Sequence, residues 1–192
     1  MRVIGGTDRG RRLLAPRGLR TRPTAERVRE ALFDILGPAV AGMRVLDLYA
    51  GTGAVGIEAL SRGAARAVFV ERDRDALRVL RRNLADLVIS RERARVVAGD
   101  AARVLATLRD EAPFDLCFLD PPYTESVASR VLAGLVGAGL LGPHALLVVQ
   151  HFTKTAVGCP AGLVADRVSR RFGETALTFL RPEGYTPSGS RP

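Results

Sequence analysis

The sequence predicts an α/β fold on a mostly parallel sheet, and three observations carry that prediction. Short apolar runs recur along the chain: "RVLDLY" (44–49), "AVFVE" (67–71), "ARVVAG" (94–99), "FDLCFLD" (114–120) and "HALLVVQHF" (144–152). Stretches with helical apolar spacing separate them, as expected when strands buried on both faces alternate with covering helices. A glycine-rich turn, "AGTGAVG" (50–56), joins the first of these strands to its helix, where open α/β sheets bind their ligands. The 192 residues suffice for one substantial core, so a single domain over 1–192 is expected. Within it, 1–23 form a basic hairpin and loop, 24–182 the α/β core, and the Gly/Pro/Ser-rich 183–192 a flexible tail.

Taken in order, "RVIGG" and "RRLLA" around the turn "TDRG" read as two short strands of a basic hairpin at the domain edge. Thr24 is a suitable N-cap for a helix from Ala25 to about Leu36, with Val28, Ala31, Leu32, Ile35 and Leu36 on its apolar face. The glycine turn opens a helix through Leu60 that ends near Gly63. Asp73 caps a helix to about Leu87 whose inward residues are Ala76, Leu77, Leu80 and Leu84. Further helices are expected from about Ala101 to Leu108 and over roughly 125–140. "LVADRVSRRFG" and "ETALTFL" follow without an intervening helix and suggest a closing antiparallel pair.

Composition narrows the partners. The net charge is +9, and only Lys154 among the 29 basic residues is lysine. Residues 1–30 hold nine arginines against Asp8, Glu26 and Glu30, so two-thirds of the net charge lies in this segment. Phosphate neutralisation with counterion release accounts for such an excess; a merely solvated basic face is the bland alternative. Arg9, Arg11 and Arg12 are the candidate nucleic-acid contacts of the hairpin. With only ten aromatic residues, arginine–phosphate contacts are expected to outnumber stacking platforms. There is no 18-residue apolar run and no signal-like start, so neither a membrane span nor export is expected. Two cysteines make no disulfide framework, which fits a cytoplasmic setting. His144 and His151 have no partners at metal-ligand spacing, so they read as structural and no metal site is proposed. A monomer is the default.

"DLYAGTGAVG" (47–56) contains Gly51-x-Gly53-x-x-Gly56, the dinucleotide fingerprint, and Glu71 stands at about the right distance to hold a ribose. Asp47 argues against a dinucleotide. A glycine loop and helix start favour an anionic pyrophosphate, which a carboxylate just ahead of the loop would repel. S-adenosylmethionine has no phosphate and carries a sulfonium and an ammonium, both of which favour Asp47. Glu71 then suits the ribose diol and Asp100 the adenine amino group, with Tyr49, Ala50, Gly51, Gly53, Arg72 and Ala101 beside them. A locally hydrogen-bonded Asp47 is the plainer alternative.

"LDPPY" (119–123) is the strongest chemical signal. Pro121 and Pro122 stiffen a turn and remove two donors, leaving carbonyls to accept. Asp120 adds a carboxylate acceptor, and Tyr123 a ring to stack on a base. Two acceptors on an exocyclic amine draw its nitrogen toward an attacking geometry, and positioning supplies most of the rate. Asp120, Pro121, Pro122 and Tyr123 are therefore the candidate catalytic residues, with Asp120 also facing the cofactor.

"DLYAGTGAVGIEALSRGA" and "DPPY" resemble motifs I and IV of amino-group methyltransferases. "IGGTDRGRRL" and "RPTAERVREALFDIL" resemble one branch, the RsmD family, which methylates a guanine N2 in 16S ribosomal RNA; the resemblance covers residues 2–150. It implies a Rossmann-like class I S-adenosylmethionine-dependent methyltransferase fold with a seven-stranded, mostly parallel sheet and an N-terminal β-hairpin. It also implies the small ribosomal subunit as substrate. Asp120 and the Pro121 carbonyl would hold the amine, and Arg22, Thr24 and Arg27 would lie near the active-site mouth. Open alternatives are adenine-N6 methylation of DNA, methylation of a protein glutamine amide, a NAD-dependent oxidoreductase and a non-catalytic RNA-binding assembly factor.

Overall fold

The computed structural model describes residues 1–15, 23–122, 125–166 and 169–185, with backbone alone at 23–25 and 125. Helix α1 (Pro23–Leu36) leads into strand β1 (Arg44–Leu48), helix α2 (Ala54–Ser61), β2 (Arg66–Glu71), α3 (Arg74–Asp86) and β3 (Ala94–Ala98). Then follow α4 (Ala101–Val104), β4 (Phe114–Leu119), α5 (Glu125–Gly137), β5 (Leu141–Phe152) and three antiparallel strands, β6 (Leu163–Ala165), β7 (Arg170–Phe172) and β8 (Thr175–Pro182). The sheet order is β3-β2-β1-β4-β5-β8-β6, with β7 also paired to β8. β1 to β5 run parallel. The chain therefore winds outward from β1 to β3, returns, and continues from β4 on the other side of β1. That reversal opens a crevice between β1 and β4, the switch point where such sheets take ligands.

Side chains alternate across the sheet. In β1, Leu46 and Leu48 pack with α4 and α5, whereas Val45 packs with α1 and α2. Asp47 shares the Val45 phase and so occupies what would otherwise be a core position. The two apolar clusters are separate layers, one on each face of the sheet.

Several boundaries differ from those expected. α1 starts at Pro23, whose missing N–H is among those a helix start leaves unpaired, so Thr24 lies inside the first turn rather than capping it. Asp73 does cap α3, accepting from the Ala76 N–H at 2.8 Å. The expected helix after Ala101 is only one turn of α-helix and continues as a 3-10 segment over Leu105–Glu111. The strand expected across "LVADRVSRRFG" is divided into β6 and β7, which pair with opposite ends of the β8 edge facing away from β5. The sheet is thus seven positions wide with an interrupted edge. The expected tail falls mostly outside the described residues, as 186–192.

The N-terminal segment is not a strand ladder at a sheet edge. It doubles back through a single bridge, Arg2 to Arg12, with Val3 N–H donating to the Arg11 carbonyl at 3.0 Å. Gly10 N–H returns to the Val3 carbonyl and Leu13 N–H to the Met1 carbonyl, each at 2.9 Å, while other donors of the segment go to helix side chains. The N–H groups of Ile4 and Gly5 reach the Glu58 carboxylate at 2.8 and 2.7 Å, and Asp8 N–H reaches Ser61 Oγ at 2.9 Å. Asn83 of α3 accepts from Leu14 N–H at 2.8 Å and donates to the Thr52 carbonyl at 3.0 Å. The segment is thereby tied both to α2 and to the glycine loop.

Candidate active site

Register fixes the floor of the crevice. Asp47 lies opposite Phe118, and Leu119 opposite Val149, so Asp47, Phe118, Asp120 and Gln150 share one face at the ends of β1, β4 and β5. α1 closes over that face with Val28, Arg29 and Leu32, and the loop 49–52 forms the remaining wall. Asp47, Tyr49, Ala50, Gly51 and Asp120, all predicted from sequence, line this crevice.

Asp47 is 2% exposed, and its Oδ2 accepts the Gly56 N–H at 2.9 Å. That donor belongs to the first turn of α2, so the helix start already holds an anion of its own. Burial pushes the Asp47 carboxyl up to about 7; the Gly56 bond opposes the rise, while Asp120 and Glu71 add to it. Asp120 is reached by solvent through the crevice but hemmed in by protein. Desolvation raises its carboxyl to about 6, with a hydrogen bond from Gln150 pulling the other way. Tyr49 adopts φ 63°, and burial raises its phenol.

The fingerprint glycines divide their work. At Gly51 (φ +55°) a Cβ would meet nothing within 4 Å, so this peptide stands open. At Gly53 a Cβ would lie 2.3 Å from Leu80 Cδ1, and at Gly56 2.3 Å from Phe69 Cε1. A side chain at Gly53 or Gly56 would thus collide with the packing between helix and sheet, whereas Gly51 leaves that space open.

Glu71, Arg72, Asp100 and Ala101 flank the crevice without lining it. Glu71 accepts from the N–H groups of Gly51 (2.8 Å), Arg72 (2.7 Å) and Asp73 (2.8 Å), bracing the loop from the neighbouring strand. Asp100 caps α4 through the Ala102 N–H at 3.1 Å and pairs with Arg72 at 3.5 Å. Ala101 is buried. Pro121 is buried and Pro122 exposed, while Tyr123 and Arg22 fall outside the described residues, as does the side chain of Thr24. Arg27 is exposed on α1, and Arg9, Arg11 and Arg12 on the N-terminal segment. Arg11 also spends Nη2 on the Asp86 carbonyl at 2.6 Å, so part of its role is structural. His151 is held at both nitrogens, by the Phe152 carbonyl and Thr178 Oγ1, each at 2.8 Å.

Gln150 lines the crevice unannounced by any motif, and Arg29 lines it from within the family-like stretch "RPTAERVREALFDIL", where it was given no role. A polar residue two positions beyond Val148, in phase with Asp120, was the available signal for Gln150. Helical spacing places Arg29, with Arg27 and Glu30, on faces of α1 other than the apolar one; instead it is buried beside Val28 and Leu32 where α1 covers the sheet.

Sheet order, loop and crevice together define the Rossmann-like class I methyltransferase fold. The family model described as Conserved hypothetical protein 95 matches residues 1–181. Ribosomal RNA small subunit methyltransferase D of Escherichia coli K12 is 41% identical over 78% of this chain and 74% of that protein. YlbH of Bacillus subtilis is 36% identical over 96% of this chain and its own full length. Among solved structures, the E. coli protein yhhF superposes with a TM-score of 0.83 at 36% identity, covering 96% of this chain and 99% of that one. The chain belongs to this RsmD-like family.

Proposed function

We propose that the protein is an S-adenosylmethionine-dependent methyltransferase of small-subunit ribosomal RNA that methylates the exocyclic N2 of a guanine. The carrying observation is Asp47, a carboxylate that already occupies the α2 start where a pyrophosphate would have to sit. A NAD reading would place phosphates against it. The residues present fit S-adenosylmethionine: an open peptide at Gly51, two carboxylates at the crevice floor, and acceptors on Glu71 and Asp100 beyond its rim. A carboxylate offers about four lone-pair sites, so Glu71 retains one for a ribose hydroxyl after its three backbone bonds.

When bound, the cofactor supplies an electrophilic methyl group on a sulfonium. Asp120, ionised above about pH 6, accepts an N–H of the guanine amine and orients its lone pair. Gln150 holds the Asp120 carboxylate in place. Asp47 is suited to the cofactor's ammonium, and the exposed Arg9, Arg11 and Arg12 to RNA phosphates. The names carried by relatives of 37 to 41% identity support small-subunit ribosomal RNA as the substrate.

Methyl-labelled S-adenosylmethionine, incubated with small subunits, naked ribosomal RNA or duplex DNA, tests the reading. Label in ribosomal RNA is expected; label confined to DNA refutes it.

A further inference from the structure

We propose that Arg29 of α1 binds the α-carboxylate of the cofactor's methionine moiety, which rests on the cofactor reading above. Arg29 is 4% exposed yet lines the crevice, and it is the one cationic side chain among the described residues that do so. Its donors are only partly used. Nη2 donates to the Arg2 carbonyl at 2.6 Å. Nε is buried without a hydrogen-bond partner, 3.8 Å from Glu58 Oε2. Glu58 forms a long ion pair with Arg29 but is shared, because Arg62 Nε and the Ile4 and Gly5 N–H groups donate to its two oxygens. A buried guanidinium so placed favours an anion in the crevice.

Side-chain charges match one for one. The crevice side chains include two carboxylates, Asp47 and Asp120, and one guanidinium, with Met1, which bears the terminal amino group, also in the lining. The amino acid end of S-adenosylmethionine presents two cations, ammonium and sulfonium, and one carboxylate. Arg29 offers a planar fork of donors suited to that carboxylate, an arrangement lysine does not reproduce. The Arg2 bond further places this residue between the crevice wall and the N-terminal arginine segment.

Calorimetric titration with S-adenosylhomocysteine and with its decarboxylated analogue tests this, using wild type, Arg29→Gln and Arg29→Lys. Thermal melting of each variant monitors folding. Wild type is expected to prefer the carboxylate-bearing ligand by roughly 10- to 100-fold, the value of a charge-assisted bond at a shielded site. Arg29→Gln should abolish that preference while binding the decarboxylated analogue within about 2-fold of wild type. Arg29→Lys should restore part of the preference. Retained preference in Arg29→Gln, equal weakening of both ligands, or a loss confined to RNA affinity would each overturn the assignment. If wild type binds neither ligand, the cofactor reading itself fails as well.

Discussion

Replacing Asp47 with asparagine is expected to stabilise the unliganded protein and weaken cofactor binding at once. The carboxyl is 2% exposed, and burial lifts it to about 7 from its ordinary 3.8. At about 1.36 kcal/mol per pKa unit, holding it ionised above pH 7 costs at most about 4 kcal/mol. The sign follows from proton uptake. Between about pH 4 and 7 the folded state binds more protons than the unfolded one, so wild type loses stability as pH rises through that window. Asparagine keeps the oxygen that accepts from Gly56 and removes the charge. If half of the bound is realised, the variant melts roughly 4–8 °C above wild type at pH 8. The two melting points should converge toward pH 4. The same substitution removes the proposed partner of the ammonium, so S-adenosylhomocysteine should bind roughly 10- to 100-fold more weakly in calorimetry. A variant that melts no higher than wild type at pH 8 refutes the buried-charge argument. Undiminished ligand affinity refutes the role given to Asp47.

Gln150→Leu removes the bond that holds the Asp120 carboxyl down, so the acid limb of the methylation pH profile should move above its wild-type midpoint near 6; an unmoved limb contradicts the pairing. Gly51→Ala and Gly53→Ala should differ in kind. The first costs about 1–2 kcal/mol of left-handed strain, while S-adenosylhomocysteine affinity falls steeply. The second adds roughly 1–3 kcal/mol of overpacking against Leu80, and melting curves separate the two. Joint replacement of Arg9, Arg11 and Arg12 by alanine should lower the salt slope of RNA binding by about 0.7 for each phosphate no longer neutralised. An unchanged slope means those arginines touch no phosphate.

Local pattern made the strands legible, because apolar runs bounded by turn residues need no knowledge of their neighbours. β1, β2, β3 and β4 fall within about a residue of expectation. Asp47 and Asp120 were legible too, since carboxylates at strand ends beside a glycine turn and a Pro-Pro turn break the apolar pattern. Pairings between distant segments were not. Gln150 meets Asp120 only because β5 lies beside β4, and Arg29 enters the crevice only because α1 folds over the sheet. The N-terminal segment does return antiparallel through a few backbone bonds, but Glu58 and Ser61, more than 50 residues away, take the N–H groups of Gly5 and Asp8. The fingerprint likewise hides which glycine faces a ligand, which depends on where Leu80 and Phe69 pack.

Guanine-N2 methylation is tested most directly by digesting small-subunit ribosomal RNA to nucleosides after reaction with labelled S-adenosylmethionine. N2-methylguanosine is expected with the wild-type protein and none with Asp120→Ala, whose RNA affinity should stay near that of wild type. Label recovered as N6-methyladenosine, or an Asp120→Ala protein that still methylates guanine at the wild-type rate, would contradict the proposed chemistry.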